Sequence, residues 1–134
     1  MGVIGEWSLP IDEWAKKTEQ NVDKARNRLA FYIYSSVVKK TPVDTGRARG
    51  NWHISKDAPD PRVIDRTNKE GSITGEETDK LKNINGDETI YIQNNLPYIN
   101  ALENGSSQQA PSGMVRLTMA NVEHYLNDAI KDTK

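Results

Sequence analysis

The chain contains no cysteine, so neither a disulfide framework nor a thiolate metal site can hold it, and its fold must rest on packing. That usage suits a reducing compartment, and cytoplasmic synthesis is the plain expectation. No run reaches the roughly 18 apolar residues of a membrane span. The opening residues, MGVIGEWSLPIDEW, lack the basic start and apolar stretch of an export leader, so no membrane association is expected. His53 and His124 fall on different predicted elements with no second ligand at metal spacing, so solvated or hydrogen-bonded histidines are expected rather than a zinc site. Glycines occur singly, which removes the phosphate-cradling GxxxxGK and GxGxxG patterns. No serine stands in a nucleophile elbow, and the carboxylates lack the regular spacing of a calcium loop. No enzymatic reaction, cofactor or metal is expected.

Large apolar residues are scarce too. Leu, Ile, Val and Phe together number 27 of 134, near the level below which highly charged chains stay disordered. The net charge is only −1, so a folded domain with a thin core is expected, and the length fits one domain over residues 1–134. A thin core is easier to sustain when some apolar surface is buried against another subunit.

What is present reads in order. Trp14, Val22, Ala25, Leu29, Ile33 and Val37 recur at helical spacing and predict a long helix from Ile11 to Lys40, started near Ser8 and Pro10. Its second half, LAFYIYSSVV, is apolar on more than one face, which implies burial on two sides: by the sheet and a neighbouring subunit, or by an intramolecular sandwich. Thr41-Pro42 ends the helix. Asp44 suits an Asx-type turn and Gly46 the positive φ that such a turn often needs. Asn51–Ser55 alternates as a half-buried strand, with Trp52 and Ile54 inward and Asn51, His53 and Ser55 on the other side.

Residues 57–88 hold nine acidic and five basic residues. This acidic stretch is expected to form a mobile loop or extended arm with little share in the core, removable over 60–86, and residues 1–10 are expected to be mobile as well. Thr89–Gln93 predicts a second strand. PYINALEN predicts a short helix that Asn104-Gly105 ends. Ser112 is the expected cap of a last helix whose face reads Val115, Met119, Val122, Leu126, Ala129 and Ile130. Two short strands are thus expected between a long N-terminal helix and a C-terminal helix.

Two stretches concentrate turn residues and polar groups: TPVDTGRARGNW, from Thr41 to Trp52, and NNLPYINALENGSSQQAPSG, from Asn94 to Gly113. Arg47 and Arg49, with Lys39 and Lys40, are the most basic local cluster, and Trp52 adds a ring. Such a group can bind nucleic acid through phosphate contact and stacking. In the other reading the arginines pair with carboxylates such as Glu103.

Together these segments resemble the tail-completion and head–tail joining proteins of tailed bacteriophages, the minor tail components of the virion neck. The likeness rests on Thr41 to Arg47, Asn94 with Pro97 and Tyr98, Glu103 with Gly105, and Gln109 to Pro111. It spans about residues 15 to 130 except 57–88. Met114 departs from a position that is often aromatic, and Leu117 from one that is often proline. The resemblance implies an α+β fold, a small, mostly antiparallel sheet packed by a long N-terminal helix and a C-terminal helix, in a structural virion protein assembled into a homo-oligomeric ring, hexameric to match a tail tube or twelvefold to match the portal side. Such a ring terminates the tail and contacts the tail tube protein and the head connector or stopper, and DNA passes through its lumen without sequence-specific binding. The protein would reside in the host cytoplasm during assembly and then in the virion. A ring needs a heterologous contact between two different patches, and the candidate interface residues are Asp44, Arg47, Arg49, Trp52, Tyr98, Glu103 and Gln109. The alternative function is a small nucleic-acid-binding module using the Arg47/Arg49 turn.

Overall fold

The computed structural model describes residues 22–73, 75–86 and 88–132. The expected first turns of the long helix, with Trp14, and the expectation for residues 1–10 lie outside them. Helix α1 spans Val22–Lys40, with Asp23 in its first turn and Lys39 and Lys40 in its last, the charge order that the helix dipole favours. A single turn α2, Arg47–Gly50, leads into strand β1, His53–Lys56. Helix α3, Glu76–Lys80, continues into a 3-10 turn at Leu81–Asn83. Strand β2, Ile90–Gln93, is followed by α4, Ile99–Glu103, then α5, Val115–Ala120, and α6, Val122–Asp132.

The two strands pair antiparallel, with Ile54 opposite Ile92 and His53 opposite Gln93. Period-two alternation therefore puts Trp52, Ile54 and Ile92 on one face. There they join Tyr34, Val37 and Val38 of α1 and Leu96, Ile99 and Met114 from the second half of the chain. The opposite side of α1 presents Leu29 and Ile33, which pack with Ala129 of α6 and the rings of Tyr32 and Tyr125. Burying Leu29 and Ile33, each 2% exposed, contributes roughly 1.5–3 kcal/mol apiece. The two-sided apolar character of α1 is thus satisfied within one chain, by the sandwich rather than by a neighbouring subunit.

Three expectations are corrected. The last helix is two helices: the Asn121 N–H closes on Thr118 O, and the Asn121 carbonyl then accepts from Tyr125 N, so one residue ends α5 and starts α6. Ser112 does not cap α5, whose N-terminal amides turn instead to Glu103 (below). The face of β1 expected to be polar and half exposed is covered, because Asn51 and His53 are fully buried. The Asp60 carbonyl sits 2.9 Å from His53 Nε2, and the Ile64 N–H donates to Asn51 Oδ1 at 2.7 Å.

These bonds belong to the acidic 57–88 stretch, which is largely irregular but seated on the domain. Leu81 and Ile84 are 5% and 2% exposed and belong to the main core. Asn27 on α1 donates its side-chain amide to the Leu81 and Ile84 carbonyls at 2.8 and 3.1 Å. The expectation that this stretch contributes little to the core does not hold. Composition misled because the apolar residues, though few, include Leu81 and Ile84, which sit in the core where the stretch meets α1.

Candidate docking surface

The turn after α1 is built by Gly46, whose φ of 87° is open to glycine and strained for other residues. A Cβ there would lie 2.7 Å from the Lys69 nitrogen, so the turn and the 68–69 backbone share one tight junction. The expected Asx turn at Asp44 is replaced by a threonine turn: Thr45 Oγ1 accepts from the Arg47 N–H at 3.2 Å. Asp44 is exposed.

Arg49 is an internal tether. Its guanidinium donates to the carbonyls of Thr41 at 2.9 Å, Lys69 at 3.0 Å and Lys39 at 3.1 Å, taking up carbonyls left unpaired at the end of α1. Trp52 is internal too, at 1% exposure, and its indole N–H donates to Thr41 Oγ1 at 2.7 Å. Both groups were candidates for partner or nucleic-acid contact, and both are occupied inside the fold. Arg47 is different: it is exposed, and among the described residues nothing accepts from its guanidinium.

Glu103 is also committed internally, to a role other than pairing with the Arg47–Arg49 turn. It is 8% exposed, and its carboxylate accepts from the N–H groups of Met114 at 2.9 Å, Val115 at 2.8 Å and Arg116 at 3.0 Å. One carboxylate thus satisfies three of the orphan donors that open α5. Arg116 completes the pair, with its Nε 3.4 Å from Glu103 Oε2. Gly113 makes the approach possible, since a Cβ there would meet the Glu103 carboxylate and carbonyl at 2.6 Å.

The two turn-rich stretches do meet, in two places. Inside, the Asn94 side-chain amide donates to the Ala48 carbonyl at 2.9 Å while its Oδ1 accepts from the Leu96 N–H. Outside, Gln109 pairs with the backbone of Val43 in both directions, its Oε1 accepting from Val43 N at 2.9 Å and its Nε2 donating to Val43 O at 3.1 Å. Between these ties lies an open groove of about 280 Å³ whose walls include Asp44, Arg47, Tyr98, Leu102 and Gln109. A smaller hollow of about 190 Å³ continues beyond Gln109, lined by Lys39, Lys40, Arg49 and Leu117. Of the seven candidate residues, Asp44, Arg47, Tyr98 and Gln109 line the larger groove. Trp52 and Glu103 lie beneath the surface, and half-buried Arg49 lines the smaller hollow while its guanidinium is tied to the backbone.

Sequence reasoning missed the charged group behind the sheet. Glu77 is 4% exposed and accepts from Ile54 N–H, Lys80 Nζ and Arg66 Nη1, all at 2.8 Å. Burial alone would raise its pKa, but the bonds from Lys80, the Ile54 amide and Arg66 outweigh that, and it stays below the ordinary value. Burial pushes the nearby Tyr34 hydroxyl up to about 12, with Arg66 opposing the shift and Glu77 adding to it. Arg62 clamps Asp60 with a 2.6 Å contact and holds that carboxyl well below the usual range. Nothing in the spacing of the acidic stretch marks Glu77 apart from its neighbours. Only the strand it caps sideways does so.

Among the described residues no three His, Asp or Glu side chains converge to hold a metal ion, and no helix is long and apolar enough to cross a membrane. Comparison with protein-family models, with curated proteins and with solved structures finds no match to the chain.

Proposed function

We propose that this protein is a structural component of a tailed-phage neck, which completes the tail and joins it to the head as a ring around the DNA channel. The observation that supports this most is the convergence of the two stretches carrying the resemblance. They lie far apart in the chain, yet they build one exposed groove through Gln109 and Val43 and frame it with buried ties through Arg49, Asn94 and Glu103. A solvent-open polar groove held by buried side-chain-to-backbone ties suits docking, because little ordering entropy is lost on contact. The work is mechanical: the ring presents a face to the tail tube and a face to the head connector, and DNA threads its lumen. Assembly takes place in the host cytoplasm, and the product resides in the virion.

The test is genetic. Removing the gene from the phage that encodes it should leave filled heads and finished tails unjoined, as counted in negative-stain images, with infectivity restored by the gene in trans. Joined, infectious particles in its absence would overturn the proposal.

The nucleic-acid reading receives less support from the same geometry. Of its five groups, Arg49 and Trp52 are engaged inside the fold and Lys40 donates to Ser36, so Arg47 and Lys39 are a small footprint for phosphate binding.

A further inference from the structure

The two strands of the sheet differ at their outer edges. Ile54 and Ile92 face each other across the pair. Glu77 Oε1 accepts the Ile54 N–H at 2.8 Å and Lys80 Nζ donates to the Ile54 carbonyl at 3.2 Å, so both backbone groups of Ile54 turn away from β2. In an antiparallel ladder this makes Ile54 and Ile92 a non-hydrogen-bonded pair. The Asp57 N–H on the Thr89 carbonyl, at 2.8 Å, fits the alternate, bonded positions. The N–H and C=O of Ile92, and of Ile90 two residues earlier, therefore point to the far side of β2. Among the described residues nothing bonds to those four groups. The edge of β1 is closed by a carboxylate and an ammonium from α3, whereas that of β2 is bare backbone. Its side chains offer no cover either: Thr89–Asn94 reads TIYIQN, without the charge or proline that commonly blocks strand addition. Ile54 is 1% exposed, but Ile90, Tyr91 and Ile92 all stay partly exposed.

We propose that the β2 edge pairs with the β2 edge of a second copy across a twofold axis, joining two two-stranded sheets into one four-stranded antiparallel sheet. The occupant follows from the register. Strand addition needs a second unpaired edge, and among the described residues β2 is the strand that has one. Turned antiparallel about Tyr91, Ile90 of each copy meets Ile92 of the other, so all four free groups on each copy find partners. Charge is compatible with this register. Thr89 would face Gln93 and Glu88 would face Asn94, which sets no like charges together, and Glu88 is already paired with Lys56. The two Tyr91 rings would meet on the sheet face opposite Ile54 and Ile92. The contact is isologous, so it joins two copies and stops. It is separate from the heterologous contact that a ring needs and stands or falls independently of the ring reading. In the free chain it covers an edge that is otherwise a template for aggregation.

Sedimentation of the full chain should show a concentration-dependent dimer in which the Ile90 and Ile92 amides exchange slowly with deuterium. The absence of cysteine allows a direct probe. Residues facing each other in a non-hydrogen-bonded pair lie about 4.5 Å apart at Cα, within disulfide reach, so mild oxidation should link Tyr91→Cys into a dimer. Ser106→Cys, on an exposed loop, should not link. Tyr91→Lys sets two ammonium groups against each other across the axis, and Ile90→Pro removes an outward N–H at the start of the strand, where proline is tolerated. Each should give a monomer with native circular dichroism and fast exchange at Ile92. A chain that sediments as a monomer at every concentration, or a dimer that survives both substitutions, would overturn the proposal. Slow exchange at Ile90 and Ile92 in a monomer would overturn it as well, by giving the edge to another part of the same chain.

Discussion

The residue that decides most about the second half of the chain is Glu103. A carboxylate at the last position of one short helix caps the next, so α4 and α5 are held at a fixed angle by three N–H bonds and one arginine. Glu103→Ala leaves the Met114 and Val115 amides buried without acceptors, a loss of roughly 3 kcal/mol expected from the cap and the unpaired donors together. Urea unfolding measures it, and a change below about 0.5 kcal/mol, the range of ordinary surface substitutions, would mean that the cap adds nothing. Glu77 makes a second residue-scale case, in which pH is the probe. Its pKa is depressed in the folded state. Its contribution is therefore present above the ordinary carboxylate value of 4.5 and disappears as pH falls through the lower, folded value. Unfolding free energy should fall from about pH 4.5 downward, and Glu77→Gln should flatten that limb while lowering stability at neutral pH. An unchanged acid limb in the variant would assign the pH dependence to other carboxylates.

At the scale of elements, the long first helix, the two strands and the short helix after them were legible because they depend on local periodicity and on breakers, whereas the helices at Arg47–Gly50 and Glu76–Lys80 were not. Thr41-Pro42 ended α1 where expected, Gly46 took the positive φ, and both strands fell on their alternating runs. Three features were not legible, and each has a long-range cause. Ser112 is the better local cap for α5, yet Glu103 wins because it brings a formal charge to three amides at once. That His53 is hydrogen-bonded in full burial rather than solvated could not be read, because strand alternation does not reveal that a later segment lies across it. The 57–88 stretch looked dispensable because composition counts apolar residues without showing where they sit. The order of energies now argues the opposite of dispensability. Removing residues 60–86 deletes Leu81 and Ile84 from the core, each worth roughly 2–5 kcal/mol on truncation, and takes Glu77 from the Ile54 amide. Against a total stability of about 5–15 kcal/mol, that loss should abolish cooperative thermal unfolding. A deletant with a sharp transition in circular dichroism would show that α1 and the sheet hold without it. Leu81→Ala alone should retain a cooperative transition and lose roughly 3 kcal/mol.

At the scale of the whole molecule, the seven residues read from sequence as one interface separate into a surface and its scaffold, and the two arginines of the first turn stand on opposite sides of that division. The Arg49 guanidinium spans three backbone carbonyls from two parts of the chain. Truncating it removes three charge-assisted bonds and leaves acceptors at the end of α1 unpaired, so Arg49→Ala should lower monomer stability by roughly 2–3 kcal/mol. The Arg47 guanidinium has no partner among the described residues, and the side chain is exposed. Arg47→Ala should therefore leave the urea midpoint within about 0.5 kcal/mol of the parent while reducing incorporation into joined particles, measured by immunoblotting of purified virions. The paired measurement separates roles that sequence position alone would merge, since the two residues are only two apart and identical in type. A stability loss at Arg47 equal to that at Arg49 would make both of them tethers and leave the groove without its free cation. A normal virion content for Arg47→Ala would remove that cation from docking even if the groove is used. Reduced incorporation with an unchanged monomer is the combination expected of a side chain whose partner belongs to another chain.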